Sequence, residues 1–240
     1  KHEFEILSHL RSQQEHINVA YPNELRDEFI VFEDVGIPLD KYLEEMPLTF
    51  KGVFEYRAKR LSYALQAINV VLYNWKNGVV HNDLSLENFI VLENESFDEL
   101  PITESLKLTD YQMSERISSE KELKRLLMED EEKGIDASES SLSSQENDFY
   151  QAGIIIYQLL SGKDPRFMVQ RESKLSKDEQ IRRDIIDLKE LGIDKTLSKK
   201  IVDLAYENID KFIVPRDYLS NIRNEMNSVF TEKYLTCNPD

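Results

Sequence analysis

Cysteine is nearly absent from this chain. One residue in 240, Cys237, excludes an internal disulfide and fits a reducing compartment. Positive charge is scarce too: 30 Lys and Arg face 46 Asp and Glu, a formal net charge of −16. That balance argues against nucleic acid or an anionic membrane as the main partner. No apolar run reaches the length needed to span a bilayer, and no signal peptide is visible. With the lone cysteine, this leads us to expect an intracellular, cytoplasmic location. No internal repeat marks a solenoid or propeller. What remains is an ordinary hydrophobic content and a high charge content, those of a soluble globular protein. The length suffices for one large domain or two small ones. The chain enters an amphipathic pattern directly at Lys1, as expected of a fragment or trimmed domain.

One stretch organises the rest: Val79-Val80-His81-Asn82-Asp83-Leu84-Ser85-Leu86-Glu87-Asn88-Phe89-Ile90-Val91. An apolar pair leads in and an apolar run leads out, so it reads as strand, tight loop, strand. Asp83 and Asn88 then share one loop, with side chains able to converge. A carboxylate beside an amide suits a hydroxyl nucleophile next to a magnesium ion. The acid orients the hydroxyl or takes its proton, and the amide oxygen ligates the metal.

The pattern His81-x-Asp83-x-x-x-x-Asn88 resembles the catalytic loop of the eukaryotic-type protein kinases. The resemblance implies an α+β, protein kinase-like fold with a mainly helical large lobe and a truncated small-lobe sheet. Residues 1–34 would be the small-lobe remnant and 35–240 the large lobe. Other segments follow in family order. Ile6, Leu7 and Leu10 mark an amphipathic helix, similar to the one long helix of the small lobe. Glu3 aligns with the family's helix glutamate, with Glu5 as second choice; otherwise either is only a solvated helix residue. Residues 28–43 run from an apolar strand through Gly36 and Pro38 to a helix start that Asp40 can cap. By resemblance this is the hinge. Phe32 would guard the back of the adenine pocket, and Glu33 and Val35 would read the adenine edge through their backbones. Residues 54–77 read as a long core helix with Trp75 as packing.

Phe89-Ile90-Val91-Leu92 reads as a strand, with Ile90 where the family packs a side chain beneath adenine. Leu106-Lys107-Leu108-Thr109 reads as a returning strand, and Asp110-Tyr111-Gln112 follows. That triplet resembles the family's Asp-Phe-Gly. Asp110 would bind Mg2+ bridging the phosphates of ATP, with Asn88 as its fellow ligand. Gln112 replaces a glycine valued for backbone freedom. Ala137-Ser138-Glu139 stands where Ala-Pro-Glu closes the activation segment, and Arg216 would pair with Glu139. Asp148-Phe149-Tyr150-Gln151-Ala152-Gly153 resembles Asp-x-Trp-x-x-Gly, so Asp148 is expected to cap an apolar helix and brace the catalytic loop. His81 is a further support residue. Residues 181–188, 197–205 and 218–229 read as surface helices packed on that core.

The departures matter as much. No glycine-rich loop and no strand lysine precede Glu3, so the chain alone is expected to be inactive or very weak. Asn82 replaces the arginine that usually docks a phosphorylated activation loop. Ser114, Ser118 and Ser119 therefore lack a cationic dock, and activity should not need phosphorylation there. Ser85 replaces a lysine. The leading reading is an ATP- and Mg2+-dependent protein kinase, serine/threonine rather than tyrosine, with a protein substrate. Two alternatives stay open: a pseudokinase scaffold or nucleotide sensor, and a small-molecule kinase of the choline or aminoglycoside type.

Overall fold

The computed structural model describes residues 2–26, 29–32, 36–45, 52–92, 105–117, 141–163, 165, 176–207, 209 and 214–235. Helix α1 (His2–Gln13) is followed by an antiparallel pair, β1 (Glu24–Arg26) and β2 (Phe29–Val31). A two-residue strand β3 (Ile37–Pro38) leads into α2 (Leu39–Glu45). Helix α3 (Gly52–Lys76) stops at Gly78, whose φ of +68° suits a helix end that only glycine takes easily. Then come β4 (Val79–Val80), a 3₁₀ turn (Leu86–Asn88), β5 (Phe89–Leu92), β6 (Ser105–Leu108) and β7 (Glu115–Arg116). Helices α4 (Ser141–Ser161), α5 (Lys177–Glu190), α6 (Lys195–Ala205) and α7 (Pro215–Phe230) complete the larger part. The fold is the expected α+β arrangement, mostly helical with small antiparallel sheets. Among the described residues no helix is long and apolar enough to cross a membrane.

The sheet that positions the site is β3-β5-β6, antiparallel, with Ile90 opposite Pro38 on one side and Lys107 on the other. Ile37 and Pro38, within the segment read as the hinge, thus pair with β5. The loop after α1 extends this sheet: Val19 bridges Leu108 in parallel, and Leu108 N–H donates to Asn18 O at 2.8 Å. Strand β4 pairs with β7, so the residues entering the catalytic-type loop are held against residues 115–116.

Helix α1 is bolted to α3. Ile6, Leu7 and Leu10 join the same apolar cluster as Ala64, Ile68 and Val71. His9 Nε2 donates to Asn77 O at 3.0 Å, and Tyr73 Oη donates to Leu10 O at 2.8 Å. The buried Asn18 amide bonds Gln66 Oε1 and Leu106 O, both at 2.8 Å. These bonds satisfy polar groups that would otherwise be stranded inside.

Two local expectations are corrected. Asp40 lies within the first turn of α2, not at its cap; α2 begins directly after Pro38. Asp148 is the eighth residue of α4, because that helix starts back at Ser141; its carboxylate therefore cannot cap it. Leu197, Ile201, Val202, Leu204 and Ala205 are all buried, because α6 packs along α4.

That packing is tight. A Cβ on Gly153 would run into Leu204 Cγ and sit 3.1 Å from Ala205 N. Gly153→Ala gains about 1 kcal/mol of helix propensity, but overpacking costs about 1–3 kcal/mol. We expect a net loss that lowers Tm by a few degrees; a raised Tm in a thermal melt would contradict the close crossing.

Candidate active site

The candidate site is built on the loop between β4 and β5. Asn82 takes φ of +66°, a left-handed conformation that non-glycine residues adopt at a cost. The turn it makes leaves Asp83 exposed while Leu84 returns to the core. The 3₁₀ turn then brings Asn88 back beside Asp83. Asn88 Nδ2 donates to Asp83 O at 2.8 Å and to Asp83 Oδ2 at 3.2 Å. The convergence read from their spacing is present.

Asp110 joins them through the backbone. Thr109 N–H and Oγ1–H both donate to Asn88 O at 2.9 Å, so the end of β6 is tied to Asn88 one residue before Asp110. Asp110 is the second left-handed residue of the site, with φ of +57°, and its Oδ1 accepts Gln112 N–H at 3.4 Å. His81 lies between the two acids, whose charges both raise its pKa. Burial outweighs them and holds the imidazole below its ordinary value, so it is neutral. Its Nε2–H donates to Thr109 O at 2.9 Å, and its ring meets Tyr111 edge-on at 4.7 Å. Three elements, the loop, β6 and the residues after it, thus close around one imidazole.

Tyr111 takes the packing position expected of it. It is fully buried, and its hydroxyl exchanges hydrogen bonds with the Asn74 amide. Desolvation drives its pKa upward. Glu3 reaches it from α1: Glu3 Oε1 accepts Tyr111 N–H at 3.0 Å. Burial raises the Glu3 carboxyl above its ordinary value, and the nearby Asp110 charge adds to the rise. Glu3 is therefore no mere solvated helix residue.

Asp148 holds the loop from beneath. Its Oδ2 accepts His81 N–H at 2.8 Å and Trp75 Nε1–H at 3.2 Å, and its Oδ1 accepts Asn82 N–H at 2.7 Å. Burial pushes its carboxyl up to about 6 despite these three donors. Bracing of the loop was expected. The Trp75 bond was not, since an indole in an apolar stripe reads as packing. Two further clamps were missed: Asn147 Nδ2 donates to Asn82 O at 3.1 Å, and Gln151 Oε1 accepts Leu84 N–H at 2.8 Å. The one available signal was a pair of amides close to Asp148 on the same helix.

Ile90 and Phe32 line one cavity of about 310 Å³, with Val19, Tyr21 and Lys107 on its other walls. Glu33, Val35, Glu139, Ser118 and Ser119 lie outside the described residues. Arg216 stands in the first turn of α7, so its expected pairing with Glu139 falls outside as well. Ser114 is fully buried, with Oγ donating to His81 O at 3.3 Å.

No group of three or more His, Cys, Asp or Glu suited to a metal occurs among the described residues. A magnesium site needs no such group, because the ion keeps waters and phosphate oxygens in its shell. Asn88 spends its amide N–H groups on Asp83, which leaves its side-chain carbonyl oxygen as a hard donor, of the same kind as the Asp110 carboxylate. These two oxygen ligands fit the ion's chemistry.

The chain matches the model of a family described as the protein kinase domain over residues 2–219. No curated protein matches it.

Proposed function

The chain belongs to the protein kinase domain family, and from that premise we propose that it serves transfer of the γ-phosphate of ATP to a serine or threonine hydroxyl of a protein. The observation that carries this reading is the Asp83–Asn88 pair, joined to Asp110 through Thr109 and flanking His81. Asp83 orients the substrate hydroxyl and accepts its proton. Asn88 and Asp110 hold magnesium, which when bound neutralises charge on the phosphate oxygens. Phe32, Ile90 and the backbones of Glu33 and Val35 take the adenine. Glu3, His81 and Asp148 support these groups, with Glu139 and Arg216 closing the activation segment. Transfer by residues 1–240 alone is weak, since their sequence holds no glycine-rich loop to cover the phosphates.

Two measurements test this. ATP with magnesium at about 100 times its dissociation constant adds about 2.7 kcal/mol of stability, which raises Tm by several degrees. Asp110→Ala removes the magnesium-dependent part of that rise. The natural full-length protein, given radiolabelled ATP and casein, labels serine or threonine. No shift with ATP and no labelling would end the reading. A shift without labelling supports the second reading, a nucleotide-sensing pseudokinase. That reading draws on Glu3, which holds a backbone amide instead of a described cation.

The start of the activation segment is latched by side chains bonded to its backbone carbonyls. Asn82 Nδ2 donates to Met113 O at 3.1 Å, and His2 Nε2 donates to Ser114 O at 2.7 Å. Burial of Ser114 denies it to a modifying enzyme. Phosphatase treatment should leave the rate of the full-length protein within about twofold; a larger loss on dephosphorylation would contradict this hydrogen-bonded latch.

A further inference from the structure

Asp83 is exposed, yet to orient a hydroxyl its carboxylate must point one way. Its direction is set by the backbone on either side. The peptide unit joining Asp83 to Leu84 is planar, so the Asp83 carbonyl and the Leu84 N–H turn together. Both ends of that plane are bonded. Asn88 Nδ2 donates to the Asp83 oxygen at 2.8 Å, and the Leu84 N–H donates to Gln151 Oε1 at 2.8 Å. Held at both ends, the plane cannot rotate about the Asp83 Cα–C bond, and the Cα–Cβ bond of Asp83 keeps its direction.

Gln151 does this from a rigid base. It lies three residues after Asp148 on α4, within one turn of the same helix. Asp148 holds the peptides before Asp83, through His81 and Asn82 N–H, and Asn147 holds the Asn82 carbonyl. Gln151 holds the peptide after it. Helix α4 therefore grips the loop on both sides of the acid. Ala152, Ile155 and Ile156 anchor that helix in the core.

We propose that Gln151 is a positioning residue for phosphoryl transfer, fixing the Asp83–Leu84 peptide so that the Asp83 carboxylate faces the substrate hydroxyl. The proposal rests on the reading of Asp83 given above. Gln151→Met keeps length and helix propensity but loses the acceptor oxygen; Gln151→Glu keeps the oxygen. In the full-length protein with ATP, magnesium and casein, Gln151→Met should lower kcat about tenfold while KM for ATP stays within about twofold. Gln151→Glu should recover most of the rate. Independently of activity, hydrogen exchange at the Leu84 amide of residues 1–240 should quicken about tenfold in Gln151→Met and not in Gln151→Glu. A Gln151→Met enzyme with unchanged kcat, or Leu84 exchange that does not move, overturns the role of Gln151 alone. Equal losses in the Met and Glu variants also overturn it, since the oxygen would then be irrelevant. A wild-type protein that labels nothing removes the reading of Asp83, and the positioning role with it.

Discussion

Asp148→Ala is expected to be the most destabilising single substitution in the loop and its supports. The change strands three buried donors: the His81 and Asn82 amides and the Trp75 indole. Each unsatisfied buried donor costs about 1–3 kcal/mol, and because they share one acceptor we expect a total of about 3–5 kcal/mol. For a protein of this size that lowers Tm by about 6–20 °C. The loss also depends on pH. Burial places the folded carboxyl at about 6, above its ordinary value of 3.8. Between those values the folded state holds a proton that the unfolded state has released. The stability Asp148 contributes is therefore full at low pH and declines as pH rises through about 6. Urea unfolding of wild type and variant should show a gap about 1.4 kcal/mol wider at pH 5 than at pH 7.5. A gap that is flat or that widens with pH would show that Asp148 is not held as described.

Asp83→Ala should do the opposite: a large loss of rate with almost none of stability. General acid–base groups supply about 10²- to 10⁴-fold, and we expect kcat of the full-length protein to fall by that order. Asp83 is exposed, and among the described residues its side chain bonds only Asn88 Nδ2, which keeps its bond to the Asp83 carbonyl. Tm should stay within about two degrees, as for surface changes that strand no buried group. Loss of fold alongside loss of rate would move Asp83 from the reacting centre to the scaffold. The contrast between the two aspartates is the useful reading. One is buried and bonded three times, the other is exposed and bonded once.

Much of this site was legible in the chain. The pairing of Asp83 with Asn88 follows from their placement on one short loop, and the resemblance of Asp110-Tyr111-Gln112 to Asp-Phe-Gly implies a packing role for Tyr111. Local spacing also marked α1, α3, α5 and α7. Other features were not legible, each for a physical reason. Trp75 reads as packing until an acceptor 73 residues away is brought to its indole nitrogen. Asn74 is silent until the Tyr111 hydroxyl meets it. Asp148 reads as a cap because aspartate often caps, and only the full course of α4 shows it in a helix interior.

The order and type of the amino acids alone determined which residues can do chemistry and which segments can form helices. Both depend on groups close together along the chain: an acid and an amide five apart, apolar side chains three or four apart. Tertiary structure alone decided which way Asp83 faces. That direction depends on a peptide plane held by Gln151 from 67 residues away and on the α4 core that keeps Gln151 still. No local pattern encodes such a bond, because its strength comes from burial and its geometry from helices that meet only once the chain has folded.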